Sequence, residues 1–219
     1  MSENSTQQGC FITVEGIEGV GKTTNIQFIQ DFLQANSIPF IQTREPGGTP
    51  LGEGLRDMLL HGGDVCDDAE LLMMFASRAQ HINEKIKPAL AKGTWVICDR
   101  FTDSTYAYQG GGRQLNVENI KQLEKMVHSN LQPHLTLLLD ASVEVGRSRA
   151  AKRSSADRIE AEDLAFFNRV RDVFLTRAKE FERYAVIDAE KSLESVQDAI
   201  KLQLEKLCEL KKISHKAHL

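Results

Sequence analysis

The sequence predicts an α/β fold, a five-stranded parallel sheet with helices on both faces, and three observations carry that prediction. Short apolar runs alternate with longer helical stretches along all 219 residues, the pattern of right-handed βαβ units. The first run, 11–14, leads straight into Gly16-x-x-x-x-Gly21-Lys22-Thr23, a glycine-rich turn that opens a helix. The length suits one domain of this class. The domain is therefore expected over 10–210, between a polar, frayed start (1–9) and a short tail (211–219).

The glycines of the first turn let successive N–H groups converge on a polyphosphate, and the helix start adds the positive end of its dipole. Gly16, Ile17, Glu18, Gly19, Val20, Gly21, Lys22, Thr23 and Thr24 are thus the expected nucleoside triphosphate contacts. Lys22 reaches the β/γ-phosphates and the Thr23 hydroxyl can hold Mg²⁺. The helix that follows spans 22–35, and the second strand 39–43. Beyond it, Thr43-Arg44-Glu45-Pro46-Gly47-Gly48-Thr49 is too rich in charge and glycine for a mere turn. Arg44, and Arg56 on the helix over 50–60, could each aim a planar guanidinium at a phosphate.

A helix over 69–91 carries Met74, Phe75 and Arg78 within one turn. A planar base could lie against the apolar side chain while Arg78 donates to a base carbonyl. The strand 95–99 ends in Asp99, where a carboxylate supports Mg²⁺ in nucleotide kinases, and Arg100 follows it. No helix is assigned over 100–116. A helix over 117–130, a strand over 135–140 and a helix over 142–152 come next. Residues 147–158 hold five basic side chains in twelve, with Arg149 and Arg153 on one helical face and Ser154-Ser155 breaking it. Such a basic flap reads as a lid over 149–160 that neutralises phosphoryl charge and excludes water. A helix over 161–183, a strand over 184–188 and a helix over 193–210 complete the alternation.

Composition narrows the function classes. A net charge of −4 argues against a broad nucleic-acid surface, and no apolar run approaches the ~18 residues of a membrane span. No signal peptide is legible, so a cytoplasmic location is expected. The 4 cysteines are scattered and read as buried thiols. The 6 histidines receive no role. Neither an N-K-x-D guanine motif nor a D-x-x-G switch is present, which disfavours a GTPase.

EGIEGVGKTT, TREPGGT, FASRAQH, DRFTDSTYAYQGGGR and DRIE, in this order and spacing, resemble the bacterial thymidylate kinase family from Cys10 to about Leu207. The resemblance implies a P-loop nucleoside monophosphate kinase fold with a lid, and a homodimer that transfers the γ-phosphoryl of ATP to dTMP with Mg²⁺. By resemblance, Lys22 holds the ATP phosphates, Thr23 and Asp99 serve the metal, and Arg44, Arg56 and Arg100 face the dTMP phosphate, with Glu45 beside them. Glu18 would accept from the sugar 3′-hydroxyl, Tyr108 would lie under the sugar, and Thr105, Gln109 and Arg78 would meet the base. The family's stacking phenylalanine falls on Met74 here, with Phe75 next to it. Either could cover the base, and Phe75 is preferred. The P-loop contains no arginine, so the catalytic cation is expected from Arg149, Arg153 or Arg158 of the lid, Arg153 first. Another nucleoside monophosphate or deoxynucleoside kinase is the alternative.

Overall fold

In the computed structural model, which describes residues 9–128, 130–151 and 158–216, strand β1 (Phe11–Glu15) is buried along its whole length. An apolar run without alternation suits a strand covered on both faces. With β2 (Phe40–Arg44), β3 (Trp95–Asp99), β4 (Leu135–Asp140) and β5 (Tyr184–Asp188) it forms a parallel sheet of order β2-β3-β1-β4-β5. Val14 pairs with Asp99 on one side and Glu15 with Leu138 on the other. From β1 the chain passes over β3 to β2, and from β3 it returns over β1 to β4. Strand order reverses about β1, which opens a crevice at the carboxyl ends of β1 and β3.

Helix α1 (Lys22–Ala35) starts behind Gly21, whose φ of 90° lies in the left-handed region. Its Ile26, Ile29 and Leu33 share one core with Val196, Ile200 and Leu204. Helix α2 (Pro50–His61) is capped by Thr49, whose Oγ1 accepts from the Gly52 N–H at 3.1 Å. The helix expected as one piece over 69–91 is α3 (Asp67–His81), a π-helical turn (Ile82–Ile86) and α4 (Lys87–Ala91). Pro88 has no N–H for the preceding turn, and the ladder widens there.

Residues 102–112, where the pattern shows no helix, form α5 (Thr102–Thr105) and a π-helical stretch (Tyr106–Gly112). Their glycines read as loop but serve packing. A Cβ on Gly112 would lie 2.4 Å from the Phe166 ring, and one on Gly111 2.7 Å from Val173. Helix α6 (Val117–His128) and α7 (Val143–Ala150) flank β4 in sequence. Helix α8 (Leu164–Glu180) carries Phe166 and Val173, and Asp163 caps it by accepting from the Phe166 N–H at 2.7 Å. Helix α9 (Leu193–Lys216) runs past 210 into the expected tail.

Cys10 and Cys98 are buried as expected, but Cys66 is exposed at the head of α3, which corrects the reading of all four as buried. Among the described residues no helix is long and apolar enough to cross a membrane.

Candidate active site

The loop between β1 and α1 takes its shape from glycine. Gly16, Gly19 and Gly21 have φ values of 133°, 79° and 90°, which side chains rarely tolerate. Lys22 donates from Nζ to the Gly16 and Ile17 carbonyls, both at 3.0 Å, so its ammonium lies across the loop. Burial, then the nearby Arg100 charge, pushes its pKa down to about 8. Thr23 and Thr24 are exposed in the first turn of α1. Across the crevice Asp99 keeps a buried Oδ1 without a hydrogen-bond partner among the described residues. Among those residues no three histidines, cysteines or acids gather into a metal cluster. One hydroxyl and one carboxylate with an unanswered oxygen fit a cation that takes most of its ligands from phosphates and water, as Mg²⁺ does.

Beside the loop lies a cleft, a concave site of the kind that takes small molecules. Glu18, Glu45, Arg56, Met74, Arg78, Arg100, Thr105, Tyr108 and Gln109, all predicted site residues, line it with Ile159. Arg100 has φ of 68°, a strained position for a residue with a side chain. It donates to Glu18 Oε1 at 2.6 Å and to Ser104 Oγ at 3.2 Å, and its guanidinium lies 4.7 Å over the Tyr108 ring. The Tyr108 hydroxyl donates to Glu18 at 2.9 Å. Burial opposes the charge on Arg100, yet Tyr108, Glu18 and Asp99 together raise its pKa above the ordinary arginine value.

The strained turn is held from below by Glu15, which lies just past the first apolar run and has no predicted role. Its Oε1 accepts from the Phe101 N–H at 2.7 Å and its Oε2 from the Ser104 hydroxyl at 2.6 Å. Burial, then the charge of Asp103, pushes Glu15 up to about 8.

Arg78 is 2% exposed. Its Nε donates to Glu45 Oε2 at 2.7 Å and its Nη2 to Thr105 Oγ1 at 3.0 Å. Its Nη1 is buried without a partner among the described residues. Glu45 therefore engages Arg78 rather than standing alone as a ligand contact. On its other side it meets His81 Nδ1 at 2.9 Å, and His81 Nε2 meets Thr43 Oγ1 at 2.6 Å. Burial alone would raise the Glu45 carboxyl, but Arg78 and His81 outweigh it and hold it below the usual range. His81 is thus a residue with a positioning role that the sequence reading withheld from every histidine. Its signal was its place three residues after Arg78 in FASRAQH.

The preference for Phe75 as the cover for a base is corrected. Phe75 is 2% exposed, packed with Leu71, Tyr106 and Ile120 and lying 4.8 Å under the Arg78 guanidinium. Met74 lines the cleft in its place. Adjacent helix positions differ by about 100°, so packing of α3 against α6 turns one inward and the other to the cleft.

Three arginines lie elsewhere than expected. Arg44 pairs with Glu53 at 2.7 Å, half exposed and outside the cleft lining. Arg149, expected at the transferred group, donates to the Ala189 carbonyl at 2.8 Å. Arg158 donates to the Leu59 carbonyl at 2.9 Å and to Glu70 Oε2. Arg56 does line the cleft, and donates to the Pro46 carbonyl at 3.1 Å. Arg153 and Ser154-Ser155 lie outside the described residues.

This geometry can hold two phosphorylated ligands end to end, a polyphosphate on the loop and a planar, phosphate-bearing molecule in the cleft. The comparisons agree with it. The thymidylate kinase family model matches residues 14–200. A thymidylate kinase of Teredinibacter turnerae is 54% identical over 202 residues, covering 90% of this chain and 98% of that protein. Those of Chromohalobacter salexigens and Pseudomonas fluorescens are each 53% identical, over 90% and 92% of this chain and 95% and 97% of theirs. With a phosphate loop, an arginine-lined acceptor cleft and such likeness over nearly its whole described length, the chain belongs to the thymidylate kinase family.

Proposed function

We propose that this chain, a phosphotransferase by its family, transfers the γ-phosphoryl group of ATP to the phosphate of dTMP, giving dTDP and ADP. The observation that carries this reading is Arg78, which lines the cleft beside the phosphate loop and keeps a buried Nη1 donor without a hydrogen-bond partner among the described residues.

Loop amides and Lys22 would bind the ATP phosphates, and Arg100 and Arg56 would hold the acceptor phosphate in line with them. An acceptor oxygen attacks the γ-phosphorus as the bond to the leaving β-phosphate oxygen breaks, and the electron pair departs on ADP. The acceptor is already an anion, so positioning and charge neutralisation suffice without a strong general base. Thr23 and Asp99 would hold Mg²⁺, which neutralises phosphate charge when bound. Glu18 would accept from the sugar 3′-hydroxyl, with the Tyr108 ring beneath the sugar and Met74 against the base. The lid cation is assigned to Arg153 on sequence grounds.

A homodimer is part of the same reading. Helices α3 and α6 share a groove in which Leu72 and Met126 are 57% and 74% exposed, and a second copy of this chain would cover them.

Initial rates with ATP, Mg²⁺ and a panel of dTMP, dUMP, dCMP, AMP and GMP test the activity. dTMP should give the highest kcat/KM, and a preference for AMP or GMP would sink the thymidylate reading. In the same assay Arg153→Ala should lower kcat about 10²-fold, and unchanged turnover removes Arg153 from the mechanism.

A further inference from the structure

Behind Gln109 stands Glu70, a residue on α3 that lies outside the cleft lining and is 1% exposed. Its Oε1 accepts from Gln109 Nε2 at 2.9 Å. Arg113 donates to both of its oxygens at 3.4 Å, and Arg158 donates to Oε2. A carboxylate is an acceptor only, whereas the two ends of a glutamine amide are chemically opposite and easily exchanged. The atom of Gln109 that faces Glu70 must therefore be the nitrogen. Burial would favour the neutral acid, yet Gln109, Arg158 and Arg113 hold the Glu70 pKa below the usual carboxylate range, which keeps the acceptor character intact.

We propose that Glu70 is a specificity-determining positioning residue: by fixing the Gln109 amide nitrogen on its inner side it leaves the carbonyl oxygen for the cleft, which selects a pyrimidine protonated at N3. The inference rests on the proposed dTMP activity. Its complement is Arg78, whose Nη1 offers a donor. A donor and an acceptor lining one cleft match the carbonyl and N3–H of thymine or uracil. Cytosine presents the reverse pair, an amino donor and a bare N3, and meets like with like at both positions. A site built around such bonds rejects the wrong partner because buried polar groups are left unanswered.

Glu70→Gln keeps the shape but lets the Gln109 amide turn over. A double-mutant cycle with Gln109→Leu separates this action from the contacts of Glu70 with Arg113 and Arg158. The readout is the ratio of kcat/KM for dTMP to that for dCMP. Glu70→Gln alone should lower the ratio at least tenfold, and in the Gln109→Leu background it should change it less than about twofold. An unchanged ratio in the single variant, or the same fall in both backgrounds, overturns the inference while leaving the dTMP activity standing. A wild-type chain without dTMP turnover overturns the proposed activity and this inference with it.

Should Glu70→Gln fail to fold, the wild-type amide answers directly. The Gln109 side-chain protons, assigned through their loss in Gln109→Leu, should be protected from exchange equally with and without dTMP. Protection that arises only with dTMP would put the nitrogen on the ligand and overturn the inference.

Discussion

Lys22 shows how a single side chain can be legible in kind and not in state. Its position after Gly21 marks it as a phosphate ligand, but its depression from 10.5 to about 8 comes from burial and from Arg100, 78 residues on. A lysine so shifted is charged below about pH 8 and neutral above it. In the free enzyme the charge that ATP needs is lost as pH rises through that value. We expect kcat/KM for ATP to fall about tenfold per pH unit above about 8, and Lys22→Arg, slower throughout, to lack that limb because its cation persists. A flat wild-type profile to pH 9.5 would contradict the shift. The sign for stability is opposite to that for activity. The unfolded chain keeps the proton up to about 10.5, so raising pH from about 8 to 10.5 relieves a penalty in the folded state. The roles of Glu15 and Glu70 are not legible at this scale, because each acts through a partner 39 or more residues away.

Local pattern decides some elements of this fold, and packing decides others. The five strands emerge from apolar runs within a residue of their bounds. The helical segment 102–112 does not, because its glycines look like a loop until α8 is seen lying on them. The seat of the phosphate loop on α7 is of the same kind. A Cβ on Gly146 would stand 2.7 Å from the Glu18 carbonyl oxygen and 3.0 Å from Ile17 Cδ1, so helix backbone and loop backbone are in direct contact. Gly146→Ala must push the loop outward, although Gly146 is on a helix and no part of the phosphate loop. We expect KM for ATP to rise about tenfold or more. A destabilisation of about 2 kcal/mol, or about 4–8 °C in Tm, should accompany it. Wild-type ATP kinetics in that variant would show the loop to be independent of α7.

Across the whole molecule, buried charge ties the sheet to its helices. Asp103 on α5 accepts from Arg177 of α8 at 2.7 Å and from Arg183, just before β5, at 2.7 Å. Glu70 similarly gathers α3, the stretch after Gly112 and Arg158. One further association belongs to this scale. Sedimentation should find the chain dimeric, and Met126→Glu, which sets a charge in the α3 and α6 groove, should shift it toward monomer. A monomeric wild type would reject the dimer, and an undisturbed dimer in the variant would reject that face. Sequence pattern alone sets the alternation of strands and helices, the phosphate loop and the order of charged motifs along the chain. Local periodicity and spacing are enough for these, since they reflect contacts within a few residues. Packing puts Met74 rather than Phe75 in the cleft lining, leaves Arg44 and Arg149 out of it, and sets buried carboxylates behind Arg78, Arg100 and Gln109. Those outcomes depend on how helices rotate and pack once the order β2-β3-β1-β4-β5 has brought distant segments to one end of the sheet.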